Sequence, residues 1–137
     1  MKLSIVINVG EYNGTMGIQI YNNNQVIYFV DKNILSSGIN TIDLDNIDVN
    51  PGLVTIEAFG KNKNDTLVDE NQSIIHDKYI DILNLYIDFF ELKKYHLCHN
   101  NNFFETFFSK NEKKEFVLPD RENLLEWYLQ ILEDHNT

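Results

Sequence analysis

Asp65, Asp69, Glu70 and Asp77 place four carboxylates in one polar stretch, and Asn62, Asn64 and Asn71 add side-chain carbonyl oxygens beside them. An oxygen-rich group of this kind suits a hard cation such as calcium, which takes roughly six to eight oxygen ligands. No Asp-x-Asp-x-Asn-Gly run occurs, so the spacing is not that of an EF-hand loop. These four acids are a candidate calcium site, and calcium is the one candidate cofactor. The plainer alternative is a solvated loop joining two strands, with Asp77 capping or bulging the strand entry.

His96, Cys98 and His99 form the one His/Cys cluster. Zinc asks for four ligands, or three and a water. Strand alternation would put His96 and Cys98 on one face and His99 on the other, and Cys98 reads better as a small buried hydrophobe. His76 beside Asp77 imitates half of a catalytic dyad, but no Ser or Cys is placed in the sequence to use it. Nucleophile-elbow, glycine-rich phosphate-loop and zincin motifs are all missing. The chain is therefore expected to be a non-enzyme.

Two aromatic groups suit binding. Tyr12, Tyr21 and Tyr28, with Tyr86, sit on or beside apparent strands and could stack on sugar rings; packing with the hydroxyl left wet is the commoner use of such tyrosines. Near the C-terminus, Leu124, Trp127, Tyr128 and Ile131 form an apolar face with the aromatic anchors common in interfaces. That face could dock a partner or cover the open side of the protein's own sheets.

Composition narrows the partners. The 137 residues suit one domain with a short appendage, and 43% hydrophobic content can build a core. The net charge of −10 disfavours nucleic acid and anionic membrane surfaces, leaving cations and basic protein surfaces as compatible partners. A single cysteine, Cys98, allows no intrachain disulfide. KLSIVINV at residues 2–9 already alternates like a strand, so no secretory leader is expected, and synthesis in a reducing cytosol fits. Asparagine supplies 19 of the 137 residues, a bias matching an AT-rich genome. The sequons at Asn13, Asn64 and Asn71 are then by-products of that bias.

The elements that must position these groups read mostly as strands. Leu3, Ile5, Ile7 and Val9 alternate, as do Met16, Ile18 and Ile20. The Asn22-Asn23-Asn24 triplet is a turn signal, and Gln25–Asp31 is the returning strand of a hairpin. After a loop over Lys32–Gly38, Ile39–Asp45 reads as a strand with Ile42 and Leu44 on one side. Asn50-Pro51-Gly52 is a turn, and Val54, Ile56 and Ala58 face inward on the next strand. Gly60–Ser73 reads as loop, then Ile74–Leu92 as one long strand. The inward set there changes parity between Ile82 and Leu85, which predicts a bulge near Leu83–Asn84. No useful helical period occurs before residue 100. Phe103, Phe104, Phe107 and Phe108 suit one helical face or a packed loop, and Lys110–Lys114 reads as a charged break. Pro119-Asp120 then opens the clearest helix, with Asp120 as N-cap and Glu122 at its positive end.

The expected architecture is mainly β: an antiparallel β-sandwich, jelly-roll or carbohydrate-binding-module-like, over residues 1–95. A C-terminal appendage over 96–137 carries a helix at 120–134.

The segment Val54–Leu92 resembles one in small, mostly uncharacterised proteins of marine tailed phages. The shared frame holds Gly60-Lys61, Asp65-Thr66, Val68-Asp69, Asp77-Lys78, Ile80, Ile82, Leu85, Ile87 and Asp88, with a weaker echo in Leu125-Glu126-Trp127. The family commonly has a glycine after Val-Asp and an Asp-Gly turn after the last strand; here Phe89 follows Asp88. The order of elements also looks like that of calcium-dependent carbohydrate-binding modules, an architectural analogy that does not fix function. The resemblance implies a virion structural or accessory protein, docking to other virion proteins and present in many copies or as a homo-oligomer. A carbohydrate-binding module that recognises host glycans is the alternative.

Overall fold

The computed structural model describes residues 1–10, 16–30, 38–61, 66–98 and 106–136, with side chains for all of these except 75–77, 96–98 and 135–136. Two antiparallel sheets enclose one core. The first has the order β10-β8-β1-β4, with β9 also on β8; the second runs β11-β5-β2-β3. Their strands are β1 (Leu3–Val9), β2 (Gly17–Asn22), β3 (Gln25–Val30), β4 (Gly38–Asp43), β5 (Gly52–Phe59), β8 (Ile80–Ile87), β9 (Phe90–Glu91), β10 (Phe107–Phe108) and β11 (Glu112–Leu118). A separate hairpin pairs β6 (Thr66–Val68) with β7 (Ile74–Asp77), and the helices are α1 (Leu92–Cys98) and α2 (Arg121–Asn136). The protein is thus mainly β, sandwich-like, with a C-terminal helix.

Period two explains the two layers. Leu3, Ile5, Ile7 and Val9 on β1 are buried, as are Ile18 and Ile20 on β2 and Val54, Ile56 and Ala58 on β5. These inward rows from both sheets form one apolar cluster. The predicted bulge is present. Val6 pairs with Asn84 and Ile7 with Ile82, so Leu83 is the extra residue and points outward. It lets Ile80 and Ile82 on one side of it, and Leu85 and Ile87 on the other, all face the core.

The turn between β2 and β3 has Asn23 at φ 49° and Asn24 at φ 68°. Two consecutive left-handed residues are what a type I′ hairpin turn needs, and asparagine tolerates that conformation better than most residues.

Several expectations meet a different arrangement. Gly60–Ser73 is not all loop: Thr66–Val68 forms β6. Ile74–Leu92 is not one strand. It divides into β7, β8 and β9, separated by Lys78-Tyr79 and by a turn at Asp88-Phe89 with Asp88 at φ 54°. A helix, α1, occurs before residue 100, nucleated where the chain leaves β9 and anchored by buried Leu92 and Tyr95. Phe107 and Phe108 lie in β10 rather than on a helix, and Phe103 and Phe104 fall outside the described residues. Pairing with Ile80 and Asp81 on β8 holds β10 extended, which outweighs the local helical spacing.

The charged break at Lys110–Lys114 is mostly strand. Glu112–Leu118 pairs along the whole of β5. As an edge strand, β11 can point Lys113, Glu115 and Val117 at solvent while Phe116 and Leu118 enter the core. β10 and β11 therefore belong to the two sheets, and Phe108, Phe116, Leu118 and Leu124 join the same core as Leu3 and Ile5. After residue 95, β10 and β11 complete the two sheets, and α2 follows them as a helix outside the ladders. Of the loop expected over Lys32–Gly38, residues 32–37 lie outside the described residues, and Gly38 is instead the first residue of β4.

Candidate functional surfaces

The acidic stretch is organised as a turn. Asp69 Oδ1 accepts hydrogen bonds from the backbone N–H groups of Asn71 and Ser73, both at 2.9 Å. An aspartate closing a turn on its own backbone is a local stabilising device, and here it joins β6 to β7. Glu70 is exposed. Asp65 lies outside the described residues, as does the side chain of Asp77. Among the described residues no three His, Cys, Asp or Glu side chains come together as a metal site. The backbone of His96 and Cys98 is helical, in α1, rather than strand; their side chains and all of His99 are outside the described set.

The tyrosines do not share a platform. Tyr12 is outside the described residues. Tyr21 is on the outer face of the second sheet, where its hydroxyl donates to Glu57 Oε1 at 2.7 Å and Lys113 Nζ lies 5.2 Å from its ring centroid. The hydrogen bond to Glu57, with smaller contributions from desolvation and from the carboxylate charge, holds the Tyr21 phenol above its ordinary pKa. Tyr28 pairs with inward-facing Ile20 and packs against the core, and burial raises its pKa as well. Tyr86 lies on the other sheet, accepting from Asn84 Nδ2 at 2.6 Å.

The outer face of the second sheet carries a feature that sequence reasoning missed. Phe29 and Phe59 stack at 5.2 Å between centroids, and Phe29 is 56% exposed. Gln19 sits between Phe29 and Glu57 in one cross-strand row, which Lys113 continues. The signal was available: on QVIYFV, Phe29 has the opposite parity to inward Tyr28 and Val30.

At the turn end of this sheet lies a cavity of about 380 Å³ lined by Asn22, Asn23, Gln25, Val26, Ile27, Ile47, Asp48 and Asn50. Its rim is built from carboxamides. Asn22 Nδ2 donates to the carbonyls of Asn50 and Leu53, and Asn50 N donates back to Asn22 Oδ1. Asn23 receives Leu53 N and donates to the Pro51 carbonyl. Gly52 has φ +126°, and a Cβ there would meet the Asn23 side chain.

The C-terminal helix is positioned by its cap, an ion pair and aromatic contacts. Asp120 Oδ1 accepts from Asn123 N at 2.8 Å, the predicted N-cap. Arg121 Nε meets Asp88 Oδ2 at 3.1 Å, while Asp88 Oδ1 accepts from Lys2 N at 3.0 Å. Asp88 thereby links the start of β1, the turn after β8 and the start of α2. Trp127 meets Tyr95 edge-on, with centroids 5.5 Å apart, and the ring of Tyr128 is edge-on to Phe89 and to Phe90, both at 5.6 Å.

Of the four expected docking residues, Leu124 is fully buried, and Trp127 and Tyr128 are partly buried against the protein's own core. Ile131 is half-buried. This face serves the fold. A second stripe stays exposed: Leu125, Leu129 and Leu132, at i, i+4 and i+7. Glu122, Glu126 and Glu133 run beside it at i, i+4 and i+11. Exposed Phe89 lies on the neighbouring turn against Tyr128.

Comparison with protein-family models, curated proteins and solved structures finds no match to this chain. The fold defines a class, a mainly β protein of two antiparallel sheets with a C-terminal helix. No helix among the described residues is long and apolar enough to cross a membrane.

Proposed function

We propose that the protein is a non-enzymatic docking module that binds a basic, apolar-faced segment of a protein partner through α2. One observation carries this reading. The helix uses Leu124, Trp127 and Tyr128 on its own core, yet still presents Leu125, Leu129 and Leu132 to solvent beside an acidic ridge. A contiguous exposed apolar stripe on a helix is a recognised mark of a contact surface. Its acidic border, on a chain of net charge −10, selects a cationic partner by attraction and rejects anionic ones. The resemblance of Val54–Leu92 to tailed-phage proteins supplies the setting: a virion structural or accessory protein among other virion proteins.

The test is incorporation. The chain should co-purify with phage particles by mass spectrometry, and Leu125→Ser with Leu129→Ser should reduce incorporation while the melting temperature holds. Normal incorporation of that double variant would remove α2 from the docking role.

A second reading, glycan recognition, is favoured by the polar cavity at Gln25 and Asn50. Uncharged amides can both donate to and accept from sugar hydroxyls. A glycan array separates the two: binding lost on Gln25→Ala would support the cavity, and a blank array would leave the docking reading alone.

A further inference from the structure

Outer strands of a sheet present unpaired backbone N–H and C=O groups, and proteins protect them with charges, prolines, β-bulges or short strands. Most outer strands here have such protection. β11 carries Glu112, Lys113, Lys114 and Glu115; β4 carries Asp43; β9 and β10 are two residues each. β3 differs. It pairs with β2, and among the described residues no strand lies on its other side. Its sequence, QVIYFV, has neither charge nor proline. Its one protection is a bulge near the turn, which leaves Ile27 unmatched between Tyr28 and Val26, while Tyr28–Val30 pairs regularly with β2.

This neutrality extends well beyond β3. From Tyr12 to Val30, 19 consecutive residues lack Asp, Glu, Lys and Arg, in a chain with 32 such residues (21 acidic, 11 basic). The exposed apolar side chains Val26 and Phe29 lie on this strip, and Phe29 is stacked on Phe59.

We propose that β3 is the site at which a second copy of this chain adds, antiparallel and about a two-fold axis, joining the two β11-β5-β2-β3 sheets into one. Charge selects this occupant. Each copy carries −10, so contact across most of the surface sets carboxylate against carboxylate, whereas β3 itself is uncharged and Asp48, which lies beside Gln25, Val26 and Ile27, is paired with the Met1 ammonium. Antiparallel pairing of a strand with its own copy is self-complementary, as a two-fold interface requires. In a register centred near Phe29 the two Phe29 side chains would face each other across the strands, an aromatic cross-strand arrangement that stabilises sheets. The partner-docking face on α2 stays open in such a dimer, so the inference stands apart from the docking reading, while the cavity at Gln25 borders the same strand.

Sedimentation velocity over a concentration series tests it, alongside Val26→Glu with Phe29→Glu. Both positions are exposed, and circular dichroism checks that the variant keeps its fold. The wild type should dimerise reversibly, and the variant should dimerise roughly tenfold or more weakly, since like charges would face each other across the pair. Leu125→Ser with Leu129→Ser should leave the dimer intact. Hydrogen exchange on the wild type, which needs no variant, should show β3 amides gaining protection as concentration rises. A wild type that stays monomeric, a dimer that survives the β3 substitutions, or a dimer without added protection on β3 overturns the proposal.

Discussion

Asn22 and Asn50 hold each other reciprocally: Asn50 N donates to Asn22 Oδ1 at 2.9 Å, and Asn22 Nδ2 donates to the Asn50 carbonyl at 3.1 Å. Asn22 is nearly fully buried, so these bonds replace water that cannot reach it. The pair ties the end of β2 to the approach to β5. Asn22→Ala should cost about 1–3 kcal/mol, because it leaves a backbone N–H and a carbonyl without partners. Urea unfolding measures it; a loss below a few tenths would mean that water takes over these bonds.

Gly52 is constrained twice, by its positive φ and by the Asn23 side chain where a Cβ would sit. Gly52→Ala should destabilise by about 1–3 kcal/mol. Gly38, also at positive φ but facing open space, should lose less on the same change. The difference between the two melting temperatures is the readout.

The two sides of α2 should behave oppositely. Leu124→Ala removes a fully buried side chain and should cost about 2–5 kcal/mol. Leu129→Ala, 52% exposed, should stay within about 0.5 kcal/mol. Asp120→Ala removes the N-cap and should cost about 1 kcal/mol. Denaturation of the three variants under one condition checks the order.

The Tyr21 phenol titrates above its ordinary value because Glu57 accepts its proton in a hydrogen bond. A group whose folded pKa is raised contributes stability that is fully present below its unfolded pKa and is lost as pH rises through the folded one. The Tyr21–Glu57 contact therefore supports the fold through neutral pH and weakens only in strong alkali. In ultraviolet titration Tyr21 should ionise late, and Glu57→Gln should bring that step to lower pH. An unchanged profile would show that the bond does not persist in solution.

Asp69 should matter locally. Asp69→Ala should speed hydrogen exchange at the Asn71 and Ser73 amides while leaving the two large sheets protected. Uniform acceleration across the protein would refute a turn-only role. Calcium titration of the wild type, read by melting temperature, addresses the acids as an ion site.

Much of the fold was legible because its signals are local. Alternation at Leu3–Val9 and Val54–Ala58, the asparagine turn at 23–24, the parity change at Leu83 and the cap at Asp120 are each written within a few residues. They follow from backbone geometry: side chains alternate along a strand, asparagine accepts positive φ, and a short acceptor caps a helix. The site was less legible. Trp127 and Tyr128 read equally as docking anchors or as cover for the protein's own sheets, with Leu125 and Leu132 on the same wide face, because helical spacing does not say which part of that face the core will take. Tyr21 and Tyr28 both read as strand tyrosines, but Tyr21 has the opposite parity to inward Ile20 whereas Tyr28 pairs with Ile20, and that cross-strand pairing puts them on opposite faces.

By itself, then, the sequence determined the mainly β class, the hairpin, the bulge and the start of α2. Only the tertiary structure decided that Glu112–Leu118 is a strand of the second sheet, that β10 closes onto β8, and which face of α2 stays in water. In each case the deciding partner is far away in the chain. β5 supplies the ladder that outweighs the charges of β11, and Phe89, Phe90 and Tyr95 supply the surface that claims Trp127 and Tyr128. Local patterns fix what a segment can do; burial against distant residues fixes which of its faces remains free.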